Sequence, residues 1–177
     1  MQYRGETKFN VAQLLRESVG AIRTYRIQPE VEIGQGEKVT FTGQLDLLRT
    51  DKGILTRANL KAPILETCSR CLTSFNYTLS VKFQEEFYPT IEVNLGYKLP
   101  PPEDSSAFTI DENHILDIGE AVRQYTEIAF PLKPLCQPEC AGLCPQCGKD
   151  LNEGRCQCPT LPPDPRWMTL RNLEITK

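Results

Sequence analysis

The sequence predicts an α+β protein: an antiparallel β-sheet with one packed helix, followed by a cysteine-rich C-terminal segment. Three observations predict it. Between Lys38 and Tyr88 apolar residues recur at every second position, the period of a strand with one buried face. Between Ile115 and Ala129 they recur at helical spacing. Six of the eight cysteines then fall within the 23 residues from Cys136 to Cys158. At 177 residues the chain is long enough to bury a sizeable core. It divides into an α+β domain over residues 1–134 and a Cys-rich segment with a short C-terminal helix over residues 135–177.

The elements follow in order. Asn10 to Ser18 reads as a short helix, with Asn10 as N-cap, Val11, Leu14 and Leu15 as its apolar stripe, and Gly20 as its stop. Ala21 to Ile27 is rich in β-branched and aromatic residues and reads as a strand. Val39, Phe41, Gly43, Leu45 and Leu47 then alternate with polar residues up to the turn Thr50-Asp51-Lys52-Gly53. A second run spans Ile54 to Leu65, and a third spans Phe75 to Phe87. Short connections between alternating runs predict an antiparallel meander with one wet face. Cys68-Ser69-Arg70-Cys71 sits where the last hairpin must turn.

Leu99 to Ser106 is a proline-rich loop. Ile115 to Ala129 reads as the packed helix, with Ile118, Val122, Tyr125 and either Ile128 or Ala129 on one face. Asp117 and Glu120 lie near its positive end, and Pro131 and Pro134 end it. Near the C-terminus, Asp164 as N-cap and Pro165 as first helical residue open a short helix with Trp167, Leu170 and Leu173.

Charge narrows the function classes. The chain carries a net charge of −3, and residues 91–130 alone carry −6, from eight acidic and two basic residues. This balance argues against a general basic coat for nucleic acid. The single histidine, His114, leaves no Cys₂His₂ finger and few histidine-based catalytic schemes. No apolar stretch is long enough to span a membrane, and the polar start Met1 to Lys8 has no secretory signal. A cytoplasmic location is therefore expected, and there thiols stay reduced and favour metal over disulfides.

Cys144-Pro145-Gln146-Cys147-Gly148 has the form of a zinc knuckle. Two residues between thiolates let both sulfurs reach one metal, and the glycine allows the tight turn. Cys156 and Cys158 complete a first Zn²⁺ site of four thiolates, with Asn152, Glu153 and Gly154 supplying turn chemistry between the pairs. Cys68, Cys71, Cys136 and Cys140 remain, and they make a second site if the helix end reaches the hairpin turn. The alternative is one zinc drawn from the C-terminal six, with Cys68 and Cys71 a free, redox-active pair. All-thiolate sites are closed and structural as a rule, and the sequence shows no phosphate loop and no nucleophile–base pair. The expectation is a protein that is not an enzyme, uses no small-molecule substrate and binds no membrane. A zinc-ribbon RNA-binding module and a thiol-redox or zinc-dependent enzyme using Cys68 and Cys71 are the alternatives.

The run Cys68-Ser69-Arg70-Cys71-Leu72, followed by Phe75 and an alternating strand ending in Phe83, Glu85, Glu86 and Phe87, resembles the first signature of the YceD family. Leu132 to Cys136, Cys140, Gly142 to Pro145, Cys147-Gly148, Leu151-Asn152, Cys156 and Cys158 resemble the second, and Asp164-Pro165-Arg166 also fits. The likeness runs from about residue 40 to the C-terminus. It implies a ribosome biogenesis role in accumulation of the large-subunit 23S rRNA, with no catalytic residues. The family's genes tend to neighbour one for a small basic ribosomal protein, and members lacking much of the C-terminal cluster imply that zinc there is a stability device. The expected partner is a ribosomal protein or pre-ribosomal particle, or 23S rRNA directly, and the acidic 91–130 segment is the expected dock for a basic protein.

Overall fold

The computed structural model describes residues 2–4, 7–33, 37–159, 164 and 166. The chain runs β1 (Gln2–Arg4), β2 (Lys8–Asn10), α1 (Ala12–Arg16), β3 (Ile22–Gln28), β4 (Glu30–Ile33), β5 (Glu37–Thr40), β6 (Thr42–Arg49), β7 (Ile54–Thr67), β8 (Ser74–Pro89), β9 (Thr109–Ile110), β10 (Ile115–Asp117), α2 (Gly119–Ala129) and a 3₁₀ turn at Leu151–Glu153. The molecule is thus mostly β-sheet with little helix.

The meander predicted by alternation forms its centre. A six-stranded sheet has the order β1-β3-β6-β7-β8-β9. The inner face is set by register: Leu45 opposite Ala58 and Leu47 opposite Thr56, then Ala58 opposite Phe83 and Leu60 opposite Val81. Slipping any of these strands by one residue would turn its apolar set to water. The sheet is mixed rather than wholly antiparallel, because β1 runs parallel to β3 and β9 runs parallel to β8.

One face of this sheet is covered. Leu14 and Leu15 of α1, Ile118, Ala121 and Val122 at α2, and Val31 and Val39 of the β4–β5 hairpin join the inward strand residues in one buried cluster. Each fully buried Leu, Ile, Val or Phe there contributes about 1.5–3 kcal/mol. Tyr125 stacks on Phe83 with ring centroids 5.1 Å apart, and its hydroxyl donates to Glu85. No helix among the described residues is long and apolar enough to cross a membrane.

Several expected boundaries move. The first helix is only Ala12–Arg16: Asn10 belongs to β2, although its side chain still accepts from the Ala12 N–H at 3.1 Å. The chain leaves the helix at Glu17, before Gly20, whose φ of +97° instead serves the turn into β3. The run 38–47 is two strands, because Phe41 donates its N–H to Pro29 at 2.9 Å and the chain passes there from the β4–β5 hairpin to the large sheet. The packed helix starts at Gly119, not Ile115, because Ile115–Asp117 pairs antiparallel with Lys8–Asn10. Its inward face ends on Ala129, while Ile128 is 77% exposed. Of the predicted C-terminal helix, Trp167, Leu170 and Leu173 lie outside the described residues. Asp164 accepts the Arg166 N–H at 2.9 Å.

The central strands are irregular at two places. Lys61 is the last β7 residue with a β6 partner, opposite Thr42, so residues 62–67 pair with β8 alone. Pro63, which has no N–H to donate, falls in this two-stranded arm, and the arm carries the cysteine turn clear of the sheet. Gly43 of β6 lies opposite Leu60 of β7. A Cβ there would collide with the Asn59 carbonyl and the Leu60 Cα. Replacing Gly43 with alanine is therefore expected to cost about 3 kcal/mol, read as a lowered unfolding midpoint with an unchanged denaturant slope.

Candidate metal centres

The hairpin turn after β7 is built to present sulfur. Leu72 donates its N–H to the Cys68 carbonyl at 3.0 Å and Cys68 donates to the Thr73 carbonyl at 3.0 Å. Leu72 sits at φ +59°, in the left-handed region that a side chain seldom adopts. The backbone so bent aims the Arg70 N–H at the Cys68 sulfur, 3.5 Å away. The same turn recurs at the second cysteine pair. Gly148, at φ +71°, donates to the Cys144 carbonyl at 2.9 Å, and Cys144 donates to the Lys149 carbonyl at 2.9 Å. Here glycine occupies the left-handed position, as the Cys-Pro-Gln-Cys-Gly sequence anticipates.

After α2 the chain turns back to the hairpin. The Ser69 N–H donates to the Pro134 carbonyl at 2.8 Å, and the Arg70 guanidinium donates to the Cys140 carbonyl at 2.9 Å. Gly142, at φ +74°, lets the segment lie close to Arg70: a Cβ there would stand 3.2 Å from the Arg70 carbonyl oxygen. The result is a quartet of Cys68, Cys71, Cys136 and Cys140, backed by Phe75, Leu135 and Leu143. Cys144, Cys147, Cys156 and Cys158 form a second quartet, and in each the four sulfurs lie within 4.8 Å of one another.

The donor sets fit a tetrahedral metal ion. The Sγ atoms of Cys68 and Cys140 are 3.7 Å apart, those of Cys71 and Cys136 are 3.6 Å apart, and those of Cys144 and Cys156 are 3.4 Å apart. These separations far exceed the ~2.05 Å of a disulfide and approach the ~3.8 Å edge of a tetrahedron with metal–sulfur bonds of about 2.3 Å. All eight cysteines are free thiols. Electrostatics point the same way. The Cys71 N–H holds the Cys68 thiol down to about 6, and the Cys147 and Gln146 N–H groups hold Cys144 down to about 6. Burial pushes Cys136 up to about 12, while the bond with Cys147 pushes Cys158 up to about 12. Each quartet thus sets a cysteine whose thiolate form is favoured beside one whose neutral form is favoured, and a divalent cation would relieve that crowding.

Asn152 connects the two quartets, and turn chemistry alone does not reveal it. It lies in the 3₁₀ turn of the second loop, where its N–H is accepted by Asp150 at 2.8 Å. Its amide nitrogen donates to the Cys140 sulfur of the first quartet at 3.3 Å, and its amide oxygen accepts the Ala141 N–H at 2.8 Å. A donor bonded to a ligand sulfur stabilises the thiolate and fixes its direction. Replacing Asn152 with alanine is expected to weaken metal retention at the first quartet about 10- to 100-fold, measured by competition with a chromophoric chelator.

The single histidine lies elsewhere. His114, at φ +58°, precedes β10 and accepts the Val11 N–H on its carbonyl at 2.9 Å; it belongs to neither quartet.

A family model described as "Large ribosomal RNA subunit accumulation protein YceD" matches residues 56–174. Uncharacterised proteins of Mycobacterium tuberculosis and Mycobacterium bovis are 31% identical over 121 residues, covering 67% of this chain and 55% of theirs. One of Mycobacterium leprae is 28% identical over 99 residues, covering 55% of this chain and 43% of its own. The chain thus spans about half the length of the curated relatives it matches. No solved structure matches it. Because the family match begins in β7 and takes in the long hairpin and all eight cysteines, this chain belongs to the YceD family.

Proposed function

We propose that this protein is a non-enzymatic ribosome biogenesis factor supporting 23S rRNA accumulation, and that each cysteine quartet holds one structural Zn²⁺. The observation that carries the reading is the family match, whose matched region contains both quartets entire. Four thiolates fill a tetrahedral coordination sphere and leave no position for substrate, which suits a structural ion. Soft thiolates also favour zinc over the hard cations. The knuckle-like turn at Cys144 to Gly148 and its counterpart at Cys68 to Leu72 give the two ions equivalent settings.

The acidic 91–130 segment contributes less to this reading than its charge suggests. Glu92 accepts from the N–H groups of Asn94 and Leu95, Asp104 from Ser106, Asp111 from Asn113 and Ile115, and Asp117 from Gly119. Glu120 and Glu127 both pair with Arg123, and Glu112 pairs with Lys98. Seven of its eight carboxylates are thus engaged locally, shaping turns and the helix.

Deleting the gene tests the proposal. The expected result is a lowered ratio of 23S to 16S rRNA, restored by the wild-type gene. An unchanged ratio would overturn it.

A further inference from the structure

The face of the large sheet that turns away from the core is uncovered among the described residues, and its side chains carry a charge pattern that segment-by-segment counting hides. Residues 1–90 hold 12 basic and 10 acidic residues, which reads as neutral. Strand alternation sorts them. Arg26, Gln44, Asn59 and Lys82 lie in one row across β3, β6, β7 and β8. Arg57 and Lys61 flank Asn59 on β7, two positions away on either side. Arg26 and Lys82 stand three strand spacings apart, about 14 Å, and Arg57 and Lys61 four residues apart, about 13 Å. The four cations thus mark the corners of a diamond with the exposed amides of Gln44 and Asn59 inside it.

None of the four takes part in the seven ion pairs found among the described residues. Arg57 donates only to the neutral Gln84, at 3.0 Å. The nearest acid on this face, Asp46, accepts from the Thr24 hydroxyl at 2.6 Å and the Gln44 amide at 3.0 Å. Glu86 lies toward the sheet end, where it accepts from Thr50 at 2.6 Å and from Tyr88 at 3.0 Å. Elsewhere Lys8, Arg23, Lys38, Lys98, Arg123 and Arg166 meet carboxylates, while Arg16, Arg49 and Arg70 donate to backbone carbonyls. A solvated sheet face with four unpaired cations, donor amides and no aromatic ring among these rows matches a repeating anion. It offers no platform for stacking bases.

We propose that this face binds the phosphate backbone of RNA, without reading base sequence. The choice of RNA among polyanions rests on the ribosomal reading under Proposed function; the cationic face itself does not.

The test is a fluorescence-anisotropy titration of the full-length, zinc-loaded protein against a structured RNA hairpin at increasing salt. Four phosphate contacts predict a slope of log K against log salt of about −3 to −4. Lys61→Gln combined with Lys82→Gln should lower its magnitude by about 2 and weaken binding more than 10-fold at low salt. Lys98→Gln, which removes a cation already paired with Glu112, should change neither. Wild-type protein that fails to bind RNA at low salt would overturn the proposal, and so would a double variant with wild-type slope and affinity. The double variant losing a co-purifying acidic protein while keeping RNA would overturn it in favour of a protein partner. The ribosomal reading fails separately. Salt-dependent binding lost in the double variant, with a normal 23S to 16S ratio in the deletion strain, retires that reading and leaves the surface. A depressed ratio that the double variant restores in full does the reverse.

Discussion

Replacing Cys140 with serine is expected to destabilise the whole protein by about 4 kcal/mol or more, the range associated with losing a structural metal. Cys140 is 2% exposed and its sulfur lies 3.7 Å from that of Cys68. Its quartet joins the tip of the β7–β8 arm to the chain leaving α2, two places separated by more than 60 residues. No large apolar cluster replaces that link, since Phe75, Leu135 and Leu143 are only partly buried around it. The unfolding midpoint, followed by circular dichroism of the sheet, should fall, and added zinc should not restore it.

Replacing Cys144 with serine is expected to act differently. Between residues 135 and 159 only Cys140, Gly142 and Cys144 are buried, so the segment has almost no core of its own. Metal binding to such segments contributes an apparent ~10–16 kcal/mol, and without it the bridge between Leu143 and Asp150 and the turn at Gly148 should open. Hydrogen exchange is the appropriate probe. Amides of residues 143–151 should lose protection by orders of magnitude, while those of β6, β7 and β8 keep theirs. A smaller weakening of the first quartet should follow, because Asn152 would no longer be held against the Cys140 sulfur.

The sequence speaks clearly where a short period meets a continuous element. The β7–β8 hairpin is legible because its inward set repeats every second residue from Ile54 to Ala62 and from Leu79 to Phe87, with Glu85 the one inward position not buried. The passage at Phe41 is not, because Val39, Phe41 and Leu45 are all buried and keep the same alternation while the chain changes sheets. Ile115–Asp117 misleads for a related reason: Ile115, Ile118 and Val122 fit a helical stripe, and three residues of strand are too few to show a period. The C-terminal quartet draws on cysteines all within 15 residues, so spacing suggests it. The pairing of Cys68 and Cys71 with Cys136 and Cys140 spans the whole of α2 and the proline loop, and spacing leaves two arrangements open. Asn152 and the cationic sheet face are invisible for the same physical reason. Each depends on which side chains a loop or a strand register brings together, which residue spacing does not report.

Whether each quartet closes around its own metal ion is tested most directly by native mass spectrometry with metal analysis of the purified protein. Two zinc ions per chain are expected, falling to one in Cys144→Ser, with the thiols unreactive until a chelator is added. One metal or none per wild-type chain, or four or more thiols reacting without chelator, would contradict two closed structural sites.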